Sequence, residues 1–513
     1  MRRELFSIKM ILLGSWLFGL ASGFAWSQQS PRPTPLEHVV VIFQENQSFD
    51  HYFATYPNAA NLAGEPPFHA APGTPTVNGL SETLRAHNPN SVQPWRISRS
   101  QAVSVIAACD NDHGYTAEQN AYDRGLVDKF VEFTGSRDKA CAKNFVMGYV
   151  DGNTVTAVWN YAQHFALNDN FFGTTFGPSM LGAINLASGQ TGGAVPENVP
   201  GTEGSPYTTN GTMVGNPPAA FDDCAEAQGG SVQMTGKNIG DLLNARQITW
   251  GWFAAGFTPT HTTTTGTAIC GRSHTASNGQ MVPVYDDPDP FEYYKSTANP
   301  HHLPPSALNM VGRTDQANHQ YDLDVFWDAA KAGHLPAVSF LRGPEYSDGH
   351  PGYSDPLTEQ QFLVTTINRL QKLPEWHSMV IFLTWDDSDG WYDHVMPPIV
   401  NHSQDAKLDT LLGPQGLCGS GIAIGGYQGR CAYGPRIPLL IISPFSRVNF
   451  VDHSLTDQTS LIKFIEDNWD LGGIGGGSFD ALAGSVLRSF DFEHPHPAPL
   501  QLDPETGEPS QQP

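Results

Sequence analysis

Short apolar runs, each closed by a cluster of polar residues, recur along the chain and alternate with stretches of helical period. Residues 36–43 (Leu-Glu-His-Val-Val-Val-Ile-Phe) predict a first core strand. Residues 380–383 are apolar without interruption, the pattern of a strand buried on both faces. Further strands are predicted over 249–253, 337–341 and 437–443, with a strand and turn over 165–172. Helices are predicted over 117–133, 155–164, 179–187, 240–245, 321–332, 358–370 and 456–469. Strands alternating with helices in this way predict an α/β fold with a mainly parallel central sheet flanked by helices.

The polar residues that end these runs carry the chemistry. The run at 380–383 continues to Trp385 and then delivers Asp386, Asp387, Asp389, Asp393 and His394. Carboxylates crowded at the end of a buried strand repel one another unless a cation lies among them. In open α/β sheets that end is where ligands bind. An acidic surface turn is the plainer alternative. The first strand likewise runs into Glu45 and Asn46, which taken alone would cap the following helix. Pro178 and Ser179 open the helix 179–187, where a hydroxyl meets free N–H groups and suits a phosphate, or acts as an ordinary cap. His113, between Asp112 and Gly114 at a helix entrance, suits an anion, and His350 follows the strand 337–341. Glu45/Asn46, Ser179, His350 and Asp386/Asp387 thus sit at four strand ends. This donor set suits a divalent metal, and a hydroxyl on a metal becomes a nucleophile for displacement at phosphorus or sulfur. No Gly-x-Ser-x-Gly elbow is present, which weakens a carboxylesterase reading.

Charge and composition narrow the partners and the compartment. Lys and Arg number 27 against 51 Asp and Glu, giving a formal net charge of −24. That argues against nucleic acid and anionic membrane surfaces. Residues 1–27 read as a secretory signal peptide: basic Arg2, Arg3 and Lys9, an apolar core from Met10 to Ala25, and small residues before a cut after Ser27. The protein is therefore expected to be exported, with no stable membrane anchor. Six cysteines in an exported chain suggest disulfides; sequential pairing is the simplest arrangement, with Cys418–Cys431 the clearest loop staple. A linker is expected at 28–35, a catalytic domain over 36–471 with irregular insertions near 190–236 and 401–434, and a frayed Gly/Pro-rich tail over 472–513.

The ordered motifs resemble the bacterial phosphoesterase family, which contains non-haemolytic phospholipases C and secreted acid phosphatases. They are Glu45-Asn46-x-Ser48-Phe49-Asp50-His51-Tyr52-Phe53, Asp110-x-x-His113-x-Tyr115, Pro178-Ser179 through Ser188-Gly189, Trp385-Asp386-Asp387-x-x-Gly390-x-Tyr392-Asp393-His394-Val395, and Tyr433-Gly434-x-Arg436-x-Pro438. The resemblance implies an alkaline-phosphatase-like sandwich. It implies Glu45, Asn46, Asp386, Asp387 and Ser179 around one or more divalent metal ions, with Ser179 as nucleophile. It also implies His113, His350 and His302 (or its neighbour His301) on the phosphoryl oxygens or the leaving group. Leu181-Gly182-Ala183 replaces the Pro-Asn-Arg pattern of the phospholipase branch, and Ser179 replaces its Thr, which resembles the acid phosphatases. The additional C-terminal β-domains of the longer phospholipases C are not expected here. The expected activity is an acid phosphatase acting on small phosphomonoesters through a phosphoserine. The alternative is a phospholipase C acting on phosphatidylcholine-like phospholipid. A secreted binding protein with a dead site is a further rival, disfavoured by the intact residue set.

Overall fold

The computed structural model describes residues 32–197, 206–225, 230–285, 289–413, 418–496 and 498–510. The expected signal peptide lies outside the described residues. The central sheet has eight strands: β1 (His38–Gln44), β2 (Ala166–Asn168), β3 (Trp250–Ala254), β4 (Gln320–Asp322), β5 (Val338–Arg342), β6 (Met379–Trp385), β7 (Leu439–Ile442) and β8 (Phe450–Asp452). Their spatial order is β4-β3-β5-β1-β6-β7-β2-β8. All adjacent pairs are parallel except the two made by β7, which runs antiparallel to β6 and β2.

Alternation along the strands feeds a core on each face of the sheet. Val39, Val41, Val380, Phe382, Leu439 and Ile441 pack with helices α4 (Ser179–Ser188) and α7 (Gln458–Trp469). Val40, Ile42, Ile381, Leu383, Leu440 and Ile442 face α1 (Phe49–Phe53), α3 (Thr156–His164), α5 (Leu323–Lys331) and α6 (Pro356–Leu370). The central strands are therefore apolar on both sides, as 380–383 predicts. Among the described residues no helix is long and apolar enough to cross a membrane.

Three expectations are corrected. The helix expected over 117–133 is α2 (Tyr115–Tyr122), closed by Asp123 at φ 34°, with a separate turn at Phe130–Phe133. The strand β4 precedes α5, where only helix was expected, because Tyr321 is buried beside Phe253. The tail is packed rather than frayed: Leu502 is buried, and Gln371 and Asn368 of the α6 region donate to the Leu500 and Leu502 carbonyls. The cysteines pair sequentially, Cys109–Cys141, Cys224–Cys270 and Cys418–Cys431.

Candidate active site

Strand register builds the site. Gln44 and Trp385 are partners at the ends of the parallel neighbours β1 and β6, so Glu45 and Asp386 emerge side by side. β5 flanks β1 on its other edge and ends at Arg342, whose guanidinium pairs with Glu45 and lies 3.9 Å from Asp386 Oδ2. Asn46 takes a left-handed backbone (φ 64°), which Asn tolerates better than most residues. Its N–H donates to Asp386 Oδ1 at 2.9 Å, and its side-chain amide donates to Asp389 Oδ1 at 3.2 Å.

Ser179 is the first residue of α4, and that helix start is pressed onto the β6 end. A Cβ on Gly182 would stand 2.1 Å from the Asp386 carbonyl oxygen, so only glycine admits the contact. Ser179 Oγ consequently donates to Glu45 Oε2 at 2.8 Å and lies 3.3 Å from Asn46 Oδ1. Asp389 extends the cluster outward. It accepts from Asn111 at 3.0 Å and lies 3.4 Å from His113 Nδ1. The His113 and His350 rings stand edge to face, 6.4 Å between centroids, and His350 stacks on Tyr353. Outside them opens a 480 Å³ cleft lined by Asp110, Asp112, His113, Arg137, Asp138 and Pro178, among others.

The structure thus gathers Glu45, Asn46, Ser179, Asp386 and Asp387, with His113 and His350 at the edge. It does not bring His302 to them. Both of its ring nitrogens are engaged elsewhere, Nδ1 by the Phe257 carbonyl at 2.7 Å and Nε2 by Asp222 at 2.8 Å, and its ring stacks on Phe257. His301 is exposed and pairs with Asp223. Sequence reasoning assigned no role to Arg342, Asn111 or Glu118. Arg342 carries the same signal that identified Glu45 and Asp386, a charged residue at the carboxyl end of a core strand. Asn111 and Glu118 gave no such signal, because their partners are distant in sequence.

The electrostatics fit a cation. Asp386 Oδ2 and Asp387 Oδ2 are buried and accept no hydrogen bond, which is costly for carboxylates unless a ligand takes them. Burial opposes the charge on Glu45, but Arg342 and a hydrogen bond from Asp386 bring it down to about 2. Burial and the neighbouring charges of Glu45 and Asp387 push Asp386 well above the carboxylate range. The two carboxyls are thus driven in opposite directions, and a positive ion beside them would favour the charged form of both. Burial disfavours charge on His113, yet Asp387 and Asp389 hold its imidazolium well above the usual histidine range. A second candidate cation group, Asp110, His113 and Asp389, has its ligand atoms within 4.8 Å of one another. Its His113 Nδ1 is already hydrogen-bonded to the Asn111 carbonyl at 3.0 Å.

A mainly parallel α/β sheet, with a buried serine hydroxyl and clustered carboxylates at its strand ends, two of whose oxygens lack hydrogen bonds, defines a hydrolase-like site suited to charged esters. Residues 36–472 match the Phosphoesterase family, and the chain belongs to it. The non-hemolytic phospholipase C of Pseudomonas aeruginosa is 24% identical over 486 residues, covering 92% of this chain and 60% of that protein. Phospholipase C B of Mycobacterium tuberculosis is 23% identical over 481 residues, 92% of this chain and 80% of that one. The non-specific phospholipase C6 of Arabidopsis thaliana is 22% identical, covering 80% of this chain and 62% of that protein. The chain spans about six-tenths of the length of the Pseudomonas relative.

Proposed function

We propose that this chain is an exported phosphoric ester hydrolase in which Ser179 attacks phosphorus beside a divalent cation held by Glu45, Asn46, Asp386 and Asp387. The observation that carries the reading is the Ser179 hydroxyl on Glu45, next to two buried carboxylate oxygens that accept nothing. Bound there, the cation supplies Lewis acidity that eases loss of the hydroxyl proton and offsets charge at phosphorus. Glu45, held at about 2, keeps its charge and is a ligand rather than a base. As the Ser179 Oγ–phosphorus bond forms, the hydroxyl proton passes to solvent, the bond to the leaving oxygen breaks, and that oxygen takes a proton from cationic His113. His113 uses Nδ1 on the Asn111 carbonyl, so Nε2 is the nitrogen it offers. Water then cleaves the phosphoserine, His113 recovers its proton from that water, and the departing Ser179 oxygen takes its own proton back from solvent. The three disulfides support export, since such bonds persist in oxidising compartments.

Between the two ester classes, the phospholipase C-type diester is the better supported. Relatives bearing that name align with nine-tenths of the chain. The cleft lining of Asp110, Asp112 and Asp138, against Arg137 and His113, favours a monoanionic diester over a dianionic monoester. Burial opposes charge on His113, but Asp387 and Asp389 raise its imidazolium, so its charge does not by itself call for the acid conditions of an acid phosphatase.

Ser179→Ala should lower turnover by about 10³-fold or more while leaving the fold intact. The same preparation, assayed with an aryl monophosphate, a soluble choline phosphodiester and phosphatidylcholine micelles, assigns the ester. A tenfold higher kcat/KM for the monophosphate would restore the acid-phosphatase reading. Near-normal turnover by the alanine variant would remove Ser179 as nucleophile.

A further inference from the structure

Helix α2 lies outside the sheet and supplies no catalytic group in the scheme above, yet it carries a buried carboxyl aimed at both catalytic loops. Glu118 is 1% exposed. Its Oε2 accepts the Gly177 N–H at 2.8 Å, and its Oε1 accepts the Ser388 hydroxyl at 2.7 Å. Gly177 sits two residues before Ser179, with φ at +110°, a conformation that an L side chain rarely adopts. Ser388 directly follows Asp387, and its Oγ also receives the Gly390 N–H at 3.0 Å, which fixes the turn bearing Asp389. One carboxyl group therefore spans the segment that delivers the nucleophile and the segment that delivers the metal-binding carboxylates.

The helix itself is firmly anchored. Tyr115 donates to Asp409 at 2.7 Å and accepts the Cys431 N–H at 2.9 Å. Gln119 Oε1 accepts from the backbone of Thr410 and Leu411. Tyr115 and Gln119 thus tie α2 to the insertion closed by the Cys418–Cys431 disulfide. Glu118 is the residue between these anchors and the reacting groups.

We infer that Glu118 is a positioning residue: its carboxyl sets the distance between Ser179 and the Asp386–Asp387 turn by bridging the Gly177 N–H and the Ser388 hydroxyl. The inference rests on the reading of Ser179 as nucleophile. Glutamine at position 118 can preserve both contacts, its carbonyl oxygen taking the Gly177 N–H and its amide donating to Ser388 Oγ. Alanine preserves neither.

The test compares Glu118→Ala, Glu118→Gln, Ser388→Ala and the Glu118→Ala/Ser388→Ala double variant with wild type and Ser179→Ala, each as the full chain loaded with metal. A reacting atom misplaced by about 1 Å costs on the order of 100-fold. Glu118→Ala should therefore lose about 100-fold in kcat with KM changed less than about threefold and metal content unchanged. Glu118→Gln should return to within about fivefold of wild type, and the double variant should be no slower than Glu118→Ala alone, since both cut one bridge. Should Glu118→Ala fail to fold, Ser388→Ala and Glu118→Gln carry the kcat comparison alone. A Glu118→Ala enzyme with wild-type kcat overturns the inference, as does a kcat loss that follows metal loss in proportion, or losses that multiply in the double variant. If Ser179→Ala stays active, the nucleophile reading has failed instead, and the two failures are told apart by that arm.

Discussion

Neutralising Asp387 should stabilise the metal-free fold and forfeit most of the stabilisation that metal adds. Burial pushes the Asp387 carboxyl up to about 6 from 3.8, with the Glu45 charge adding to burial and the His113 charge opposing it. A shift of about two units corresponds to about 3 kcal/mol between the protonation states. The folded value lies above the unfolded one, so in metal-free protein this stabilisation is present below about pH 4 and is lost as pH rises through about 6. At pH 8 the ionised Asp387 therefore costs the metal-free fold about 3 kcal/mol, and Asp387→Asn removes that cost. With an unfolding entropy of about 1 kcal/mol/K for a chain of this length, the metal-free variant should melt about 3 °C above metal-free wild type. A divalent cation at a thousandfold excess over its Kd adds about 4 kcal/mol to wild type, or about 4 °C, and the asparagine variant should forfeit most of it. The gap of about 3 °C between the two melting curves therefore closes on adding metal. Scanning calorimetry of both proteins at pH 4, 6 and 8, in chelator and in excess metal, reads this directly. If metal-free Asp387→Asn melts below metal-free wild type at pH 8, or if metal leaves wild type unmoved, the cation assignment at this turn is wrong.

Gly182→Ala should be far more damaging than an ordinary helix-favouring change, because its Cβ would fall 2.1 Å from the Asp386 carbonyl oxygen. A cost of about 1–3 kcal/mol and a loss of kcat, read by thermal melts and initial rates, are expected. Arg436, fully buried between Asp50 and Asp393, should cost about 3–5 kcal/mol when changed to Met, because Asp393 loses its cation and Asp50 keeps only His394. Urea titration of Arg436→Met, with activity normalised to folded protein, checks this. His302→Gln should keep kcat within about threefold of wild type, because both ring nitrogens already serve Phe257 and Asp222. A loss comparable to that of Ser179→Ala would return His302 to the reaction.

What the sequence discloses here follows from how locally each feature is determined. The core strands and the residues that close them are contiguous, so Glu45, Asn46, Asp386 and Asp387 are legible as strand-end chemistry, and the fold class follows from the alternation of periods. That Glu45 and Asp386 stand side by side is a matter of register, Gln44 against Trp385, which periodicity does not give. The helix from Tyr115 ends early because Asp123, Arg124 and Val127 all adopt positive φ. Asn90 draws the chain inward there, taking the Phe130 N–H and donating to the Val127 carbonyl. Gly-rich composition suggests a loose tail, but buried apolar residues such as Phe479, Val486 and Leu502 outweigh the entropy of ordering it. His302 enters the expected site through the family resemblance alone, whereas its surroundings, Phe257, Tyr285 and the Asp222 carboxylate, make it a buried strut. Glu118 reads as one polar residue of a helix because its partners, Gly177 and Ser388, are 59 and 270 positions away. The separation is therefore between the groups that carry charge to phosphorus, which local pattern reveals, and the groups that hold them at working distance, which only the packed chain reveals. In this protein the second set is the more deeply buried in the pattern, and substitutions there are where sequence and function should part most widely.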